Sequence, residues 1–255
     1  MRGHLVSIFF IVFGACVGSF LNVCIYRISE GKSIIFPKSF CPNCSHPIRF
    51  YDNIPIISYL VLRGECRDCH KRISHRYPVV ELTTALLSLL LFWKYGLSFQ
   101  YFFAFLFVCT LIIITFIDLE HQIIPDVITL PGIPLFFLLT FFFMDISFLD
   151  SILGILIGGG GFYLIAIVYQ FVTKKEGIGG GDIKLMAMLG AFLGWKSLLF
   201  ILLVSSLLGS IIGISMMIMH GKDLKYAVPF GPFLSIAAVA YMFLGKYLKG
   251  ILFLR

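Results

Sequence analysis

Residues 99–126 read FQYFFAFLFVCTLIIITFIDLEHQIIPD. From Phe99 to Ile117 there is no charged side chain. A helix rises about 1.5 Å per residue, so about 20 apolar residues cross the ~30 Å hydrocarbon layer of a bilayer. The run therefore predicts a transmembrane helix. It then ends on Asp118, an acid placed where the membrane gives way to water. An ionisable group at that depth is costly and is a functional candidate by default. It also lies at the C-terminal end of its run, where the helix dipole disfavours an anion, so capping does not explain it.

The same pattern recurs along the chain. Eight apolar runs are candidate membrane helices: Leu5–Tyr26, Val79–Phe92, Phe99–Ile117, Val127–Met144, Ile152–Val172, Leu185–Trp195, Leu198–Met219 and Val228–Leu244. The second and sixth are short, and Pro131 and Pro134 are expected to kink the fourth. The first follows a very short basic start and is read as a retained span rather than a cleaved signal. Composition agrees: 59% of the 255 residues are hydrophobic and 13% are charged, against about 45–50% and 25% in soluble domains. The expected fold is an all-α polytopic membrane protein of about eight transmembrane helices. The one long polar segment makes a small domain between the first two. The domains read as 1–26, the first helix; 27–78, the polar domain; and 79–255, the remaining membrane bundle.

The net charge of +7 is not spread evenly. With eight spans, Arg27–Pro78, Asp118–Asp126, Thr173–Lys184 and His220–Ala227 share one side and hold 14 of the 20 Lys and Arg. The richer side should be cytoplasmic. The polar domain and both Asp-bearing loops are thus expected to face the cytoplasm. Basic residues gathered in loops by membrane topology give no reason to expect nucleic-acid binding.

The polar domain carries Cys41-Pro-Asn-Cys44 and Cys66-Arg-Asp-Cys69. Two CxxC pairs facing each other point to a four-thiolate structural zinc site. The rival, two disulfides, needs an oxidising compartment. A domain of about 50 residues has little core, and a metal substitutes for one. His46, His70 and His75 could replace a ligand but read as surface residues. Cys16, Cys24 and Cys109 lie in predicted spans and read as packing.

A second acid, Asp182, opens the sixth run after Gly179-Gly180-Gly181. It could be an N-cap, yet it would share side and depth with Asp118. Two carboxylates within a few Å share one proton, so one can take a proton from water while the other gives one to a scissile carbonyl. Gly177 and the triple glycine could hold an unwound segment against an extended substrate. Asp126, after Ile124-Pro125, looks like an N-cap. Glu120 and Asp126 are also placed to receive a positively charged substrate segment. Glu81 lies just inside the second span, and the sequence assigns it no role.

Together these residues resemble the prepilin leader peptidases, bacterial membrane aspartic proteases of the GxGD class. Gly18-Ser19-Phe20-Leu21-Asn22-Val23 and Tyr26-Arg27 look like the family's first-span signature. Tyr51-Asp52-Asn53-Ile54-Pro55 and Arg76-Tyr77-Pro78 fall between and after the cysteine pairs as they do in that family. Asp118–Asp126 and Gly179–Lys184 look like its two catalytic regions. The resemblance implies that Asp118 and Asp182 are the catalytic pair and that type IV prepilins or pseudopilins lose their basic leader. It also implies that the new N-terminal amine is methylated by S-adenosylmethionine. The residues themselves show no glycine fingerprint of a nucleotide-binding strand and helix, so any methyl-donor site must come from the polar domain and adjoining spans. Two other readings stand beside this one. A proton-coupled carrier would place charges near mid-span in two related halves. A zinc-bearing scaffold would leave the paired aspartates unexplained.

Overall fold

The structure, a computed structural model, describes residues 2–36, 39–174, 177, 179–220 and 228–252. Parts of two expected loops, at 175–176, 178 and 221–227, lie outside it. The helices are α1 (Arg2–Ser29), α2 (Ile57–Val61), α3 (Arg76–Tyr95), α4 (Phe99–His121), α5 (Asp126–Phe143), α6 (Phe148–Ile155), α7 (Phe162–Thr173), α8 (Gly180–Leu193), α9 (Trp195–His220) and α10 (Gly231–Leu252). A π-helical turn, Leu156–Gly161, joins α6 to α7 without a break.

Each of the eight apolar runs becomes helix. Six helices among the described residues are long and apolar enough to cross a membrane: α1, α3, α4, α5, the continuous Phe148–Thr173 and α9. The count departs from eight because α8 has only 14 residues, about 21 Å, and the described apolar part of the last helix is the short Gly231–Gly245. The chain is an all-helical, multi-pass membrane protein. Its spans expose Phe102, Leu106, Leu199, Leu203 and Leu207. Such apolar faces suit lipid and would be a liability in water.

Two compact units divide the chain, Met1–Ile113 and Ile114–Arg255. In the first, α1 lies along α3. Gly14 and Gly18 make that approach possible: a Cβ on Gly14 would sit 2.7 Å from Ser88 Cβ, and one on Gly18 2.7 Å from Glu81 Cα. Small residues four apart let membrane helices meet backbone to backbone. Polar pairs then fix the register. The Ser88 hydroxyl bonds the Phe10 carbonyl at 2.8 Å, and Asn22 Nδ2 donates to the Tyr77 carbonyl at 3.1 Å.

In the second unit α8 is central, touching α5, α6, the π turn, α9 and α10. Every residue from Leu185 to Leu193 is buried. This short helix is thus enclosed by protein. Its last carbonyls would be orphans in lipid. The hydroxyls of Ser151 and Thr140 bond the Ala191 and Phe192 carbonyls, and Gly194 at φ +77° ends the helix. Pro131 and Pro134 both lie inside α5.

Gly154 of α6 and Gly190 of α8 touch through their backbones, each occupying the space a Cβ of the other would need. Gly190→Val is therefore expected to force the helices apart, at a cost of about 3 kcal/mol. Gly160→Ala, with nothing within 4 Å of its Cβ position, is the control. Thermal unfolding of the purified protein in detergent should show a lowered midpoint for the first and little change for the second.

Candidate active site and cysteine cluster

Asp118 lies in the last turn of α4 and is buried, 4% exposed. Its Oδ2 accepts the backbone N–H of Gly231 at 2.9 Å. Gly231 is the first residue of α10, so the anion that α4's own dipole disfavours meets the N-terminal end of another helix, where unpaired N–H groups and the dipole favour it. Only glycine fits there. A Cβ at 231 would lie 2.7 Å from Asp118 Oδ2 and 3.3 Å from Ile124 Cδ1.

Ile124 also reaches the second acid. A Cβ on Gly181 would sit 2.8 Å from Ile124 Cβ, so this side chain is wedged between the starts of α8 and α10. Asp182 is the third residue of α8, half-buried, and lies within electrostatic reach of Asp118. The capping alternative does not describe it. The N-cap is Gly179, and no side chain caps that end. The glycines also differ from expectation: Gly179 is extended, but Gly180 and Gly181 are the first turn of α8 rather than an unwound stretch. Their lack of side chains leaves room instead, with a Cβ on Gly179 3.0 Å from Asp182 Oδ2.

Asp126 is not the N-cap of α5 either. Pro125 holds that place, and both carboxylate oxygens of Asp126 lie 2.7 Å from Lys184 Nζ. Glu120 is exposed near the end of α4. Sequence reasoning missed Gly231. Its signal was Phe230-Gly231-Pro232 at the start of the last apolar run, since a proline in a first turn needs no N–H partner.

The four cysteines of the polar segment converge. The Sγ atoms of Cys41, Cys44, Cys66 and Cys69 lie within 4.8 Å of one another, with Cys41 and Cys69 3.9 Å apart. Tetrahedral Zn–S bonds of about 2.3 Å put sulfurs about 3.8 Å apart, so the donor set and spacing fit a thiophilic metal. Two copies of one local turn build the site. Ser45 N–H donates to the Cys41 carbonyl and His70 N–H to that of Cys66. Ser45 and His70 both take positive φ, 58° and 53°. Isolated bridges Phe40 to Pro47 and Glu65 to Arg72 close the two loops. His46, His70 and His75 stand outside the cluster; His75 Nδ1 pairs with Tyr59 Oη at 2.8 Å. Arg67 grips Asp52 through two bonds, Nε to Oδ2 at 2.9 Å and Nη2 to Oδ1 at 2.6 Å, tying the second loop to the short turn Phe50–Asn53.

A further acid in a membrane helix is Glu81 of α3. It is buried, and its Oε2 accepts the N–H of Ile56 at 2.7 Å.

The chain is similar to known proteins over most of its length. Residues 12–95 match the model of the bacterial peptidase A24 N-terminal domain, and residues 105–214 match the type IV leader peptidase family. A Pseudomonas putida protein named prepilin leader peptidase/N-methyltransferase is 37% identical over 248 residues, covering 89% of this chain and 86% of that protein. Relatives of the same name from Pseudomonas aeruginosa and Myxococcus xanthus are 38% and 41% identical over 250 and 220 residues. They are matched over 86% and 66% of their lengths, by 89% and 86% of this chain. No solved structure matches. With identity at this level along nearly the whole chain, and a family model on each half, the chain belongs to the type IV leader peptidase family.

Proposed function

We propose that this protein removes the basic leader from type IV prepilins or pseudopilins and then methylates the exposed N-terminal amine, with S-adenosylmethionine as the methyl donor. The observation that carries this reading is the match along 89% of the chain to a relative named for both activities. The geometry supplies a chemical basis. Asp118 and Asp182 sit within electrostatic reach of each other, and such a pair carries one proton between them. Gly231 N–H occupies Oδ2 of Asp118, which leaves Oδ1 to face water or substrate. The ionised carboxylate takes a proton from water as the oxygen attacks the scissile carbonyl. The protonated one donates to the carbonyl oxygen, and collapse of the tetrahedral intermediate expels the amine.

Charge supports a cytoplasmic placement of both acids and of residues 27–78, because 14 of the 20 Lys and Arg fall in the loops of that side. A basic leader held inside, followed by an apolar helix in the bilayer, would bring the cut bond level with the two acids. In the reducing cytoplasm the four thiols would hold zinc as a structural ion.

Glu120 and Asp126 would receive the leader's Lys or Arg. Asp126 is engaged by Lys184, so a leader amine there has to displace that side chain. Neutralising both, Glu120→Gln with Asp126→Asn, is expected to raise KM for prepilin about tenfold with kcat little changed. An unchanged KM removes the assignment.

The test of the whole reading is to incubate the purified protein in lipid with a prepilin and S-adenosylmethionine and to weigh the product by intact mass spectrometry. Loss of the leader followed by gain of a single methyl group is expected. A well-matched prepilin left intact overturns the peptidase.

A further inference from the structure

Within the first unit, α1 and the polar segment line an open cavity of about 340 Å³ whose lining includes Ser19, Phe20, Arg27, Ile34, Asn53 and Pro55. That is within the range of small-molecule sites, roughly 300–1,000 Å³. Its wall combines apolar side chains, hydroxyl and amide groups, and a charged residue. Arg27 is 5% exposed, and its Nη1 donates to the carbonyls of Ser33 at 3.1 Å and Ile34 at 2.9 Å, holding that stretch of chain over the cavity.

Glu81 of α3 reaches the cavity lining through a neighbour. The Ser19 hydroxyl, part of the lining, bonds its carboxylate. Its Oε2 also takes the N–H of Ile56, the residue after Pro55. Ile56 has φ +63° and ψ −49°. A β-branched residue at positive φ is a strained outlier of the kind that persists where surrounding structure holds it for a function. The buried carboxylate thus fixes the Asn53–Ile56 turn that forms one side of the cavity. A buried carboxyl group behind Ser19 and a buried guanidinium eight residues further along α1, about 12 Å away along the helix axis, suit a ligand that carries both a cation and a carboxylate.

We propose that this cavity binds the methyl donor, a sulfonium nucleoside with an amino-acid tail, and that Glu81 is a positioning residue that favours the sulfonium charge. Arg27 attracts the tail carboxylate, Ser19 and Asn53 offer polar contacts, and Phe20, Ile34 and Pro55 supply apolar cover. The proposal rests on the methylation reading above and deepens it. In the reaction the substrate's N-terminal ammonium first gives its proton to water. The amine lone pair then forms the N–C bond, while the S–C bond breaks and its electron pair returns to sulfur as a neutral thioether.

Charge makes the proposal testable without turnover. Equilibrium binding of radiolabelled S-adenosylmethionine and of S-adenosylhomocysteine, which lacks the sulfonium charge, would be measured on the full chain in lipid nanodiscs. Glu81→Gln keeps a carbonyl to accept the Ile56 N–H. It is expected to weaken the sulfonium ligand about tenfold and the neutral thioether by less than about twofold. Asn53→Ala, on the exposed turn, is expected to weaken both. Equal loss of both ligands in Glu81→Gln, or no loss of either, overturns the role of Glu81. If Asn53→Ala binds both as wild type does, the cavity is not the site. A wild type that cuts prepilin but binds no methyl donor refutes this inference and leaves the peptidase standing. One that binds the donor in this cavity but leaves prepilin intact refutes the peptidase and leaves the cavity.

Discussion

Asp118→Asn and Asp182→Asn are each expected to abolish leader removal, by at least about 10³-fold in kcat, while the protein still inserts and unfolds as wild type does. The size follows from the mechanism. Without two carboxyls to share a proton, neither the water nor the carbonyl oxygen is served, and groups acting as a unit lose nearly everything when either is removed. Stability should survive Asp118→Asn because the amide keeps a carbonyl oxygen to accept the Gly231 N–H seen on Asp118. Intact mass of the prepilin after incubation is the readout, with the thermal midpoint as the folding control. Gly231→Ala belongs to the same result. Its methyl would lie 2.7 Å from Asp118 Oδ2, so it should push the carboxylate aside and depress kcat without touching either acid. If either Asp→Asn variant cuts at the wild-type rate, the two-aspartate mechanism is wrong.

The second large effect is expected at the cysteine cluster. Chelation, or Cys66→Ser, should unfold the segment between Phe40 and Arg72. Structural four-thiolate zinc contributes about 10–16 kcal/mol of apparent binding energy at neutral pH, and the segment has few buried side chains to replace it. Trypsin should then cut at Arg49, Arg63 and Arg67, and should spare them in the metal-loaded protein. The pH dependence has a definite sign. Burial pushes the Cys41 thiol up, but the N–H groups of Cys44 and Asn43 and the thiols of Cys66 and Cys44 outweigh it and hold the group at about 7. Cys44, although drawn down by the His46 N–H, is raised to about 11 by burial and its three thiol neighbours. A thiol lowered from 9.0 contributes stability that is present above its unfolded value and lost as pH falls through about 7. Metal competes with those protons, so the loaded cluster should persist at neutral pH and release its ion as acid returns the thiols. Metal content measured across a pH series, with trypsin resistance alongside, checks this. Resistance that survives complete removal of the metal would show that the segment folds without it.

The parts of this architecture legible in sequence were those written in local composition. Apolar runs of about 20 residues, paired CxxC turns and an acid ending a greasy helix each need only their own neighbours to be recognised. What escaped needs contacts far apart in the chain. The Asp118–Gly231 bond joins residues 113 apart, and no pattern around Asp118 announces it. The burial of α8 was hidden because an all-apolar helix reads the same whether lipid or protein surrounds it. The triple glycine before Asp182 was read as unwound chain from intrinsic preference. Tight packing of Gly181 against Ile124 outweighs that preference and draws Gly180 and Gly181 into helix. Asp126 had the look of a cap, and only the fold brings Lys184 to it. Glu81 had no visible purpose because its partners, Ser19 and Ile56, come from segments 62 and 25 positions away.

The π-helical turn between α6 and α7 also sets how this span can change over generations. A π turn accommodates one residue more than an α turn, so loss of a single glycine from Gly158–Gly161 would let the helix close into regular α form. The surplus residue would be lost inside the turn, so α7 would keep its facing, whereas a deletion from a regular stretch of the helix would rotate everything beyond by about 100° and shift it by about 1.5 Å. Gly154, pressed against the backbone of Gly190, could then keep its place with α7 still turned to the same surroundings. In this stretch a one-residue deletion is therefore absorbed, and lineages could differ in length here while presenting the same helix faces.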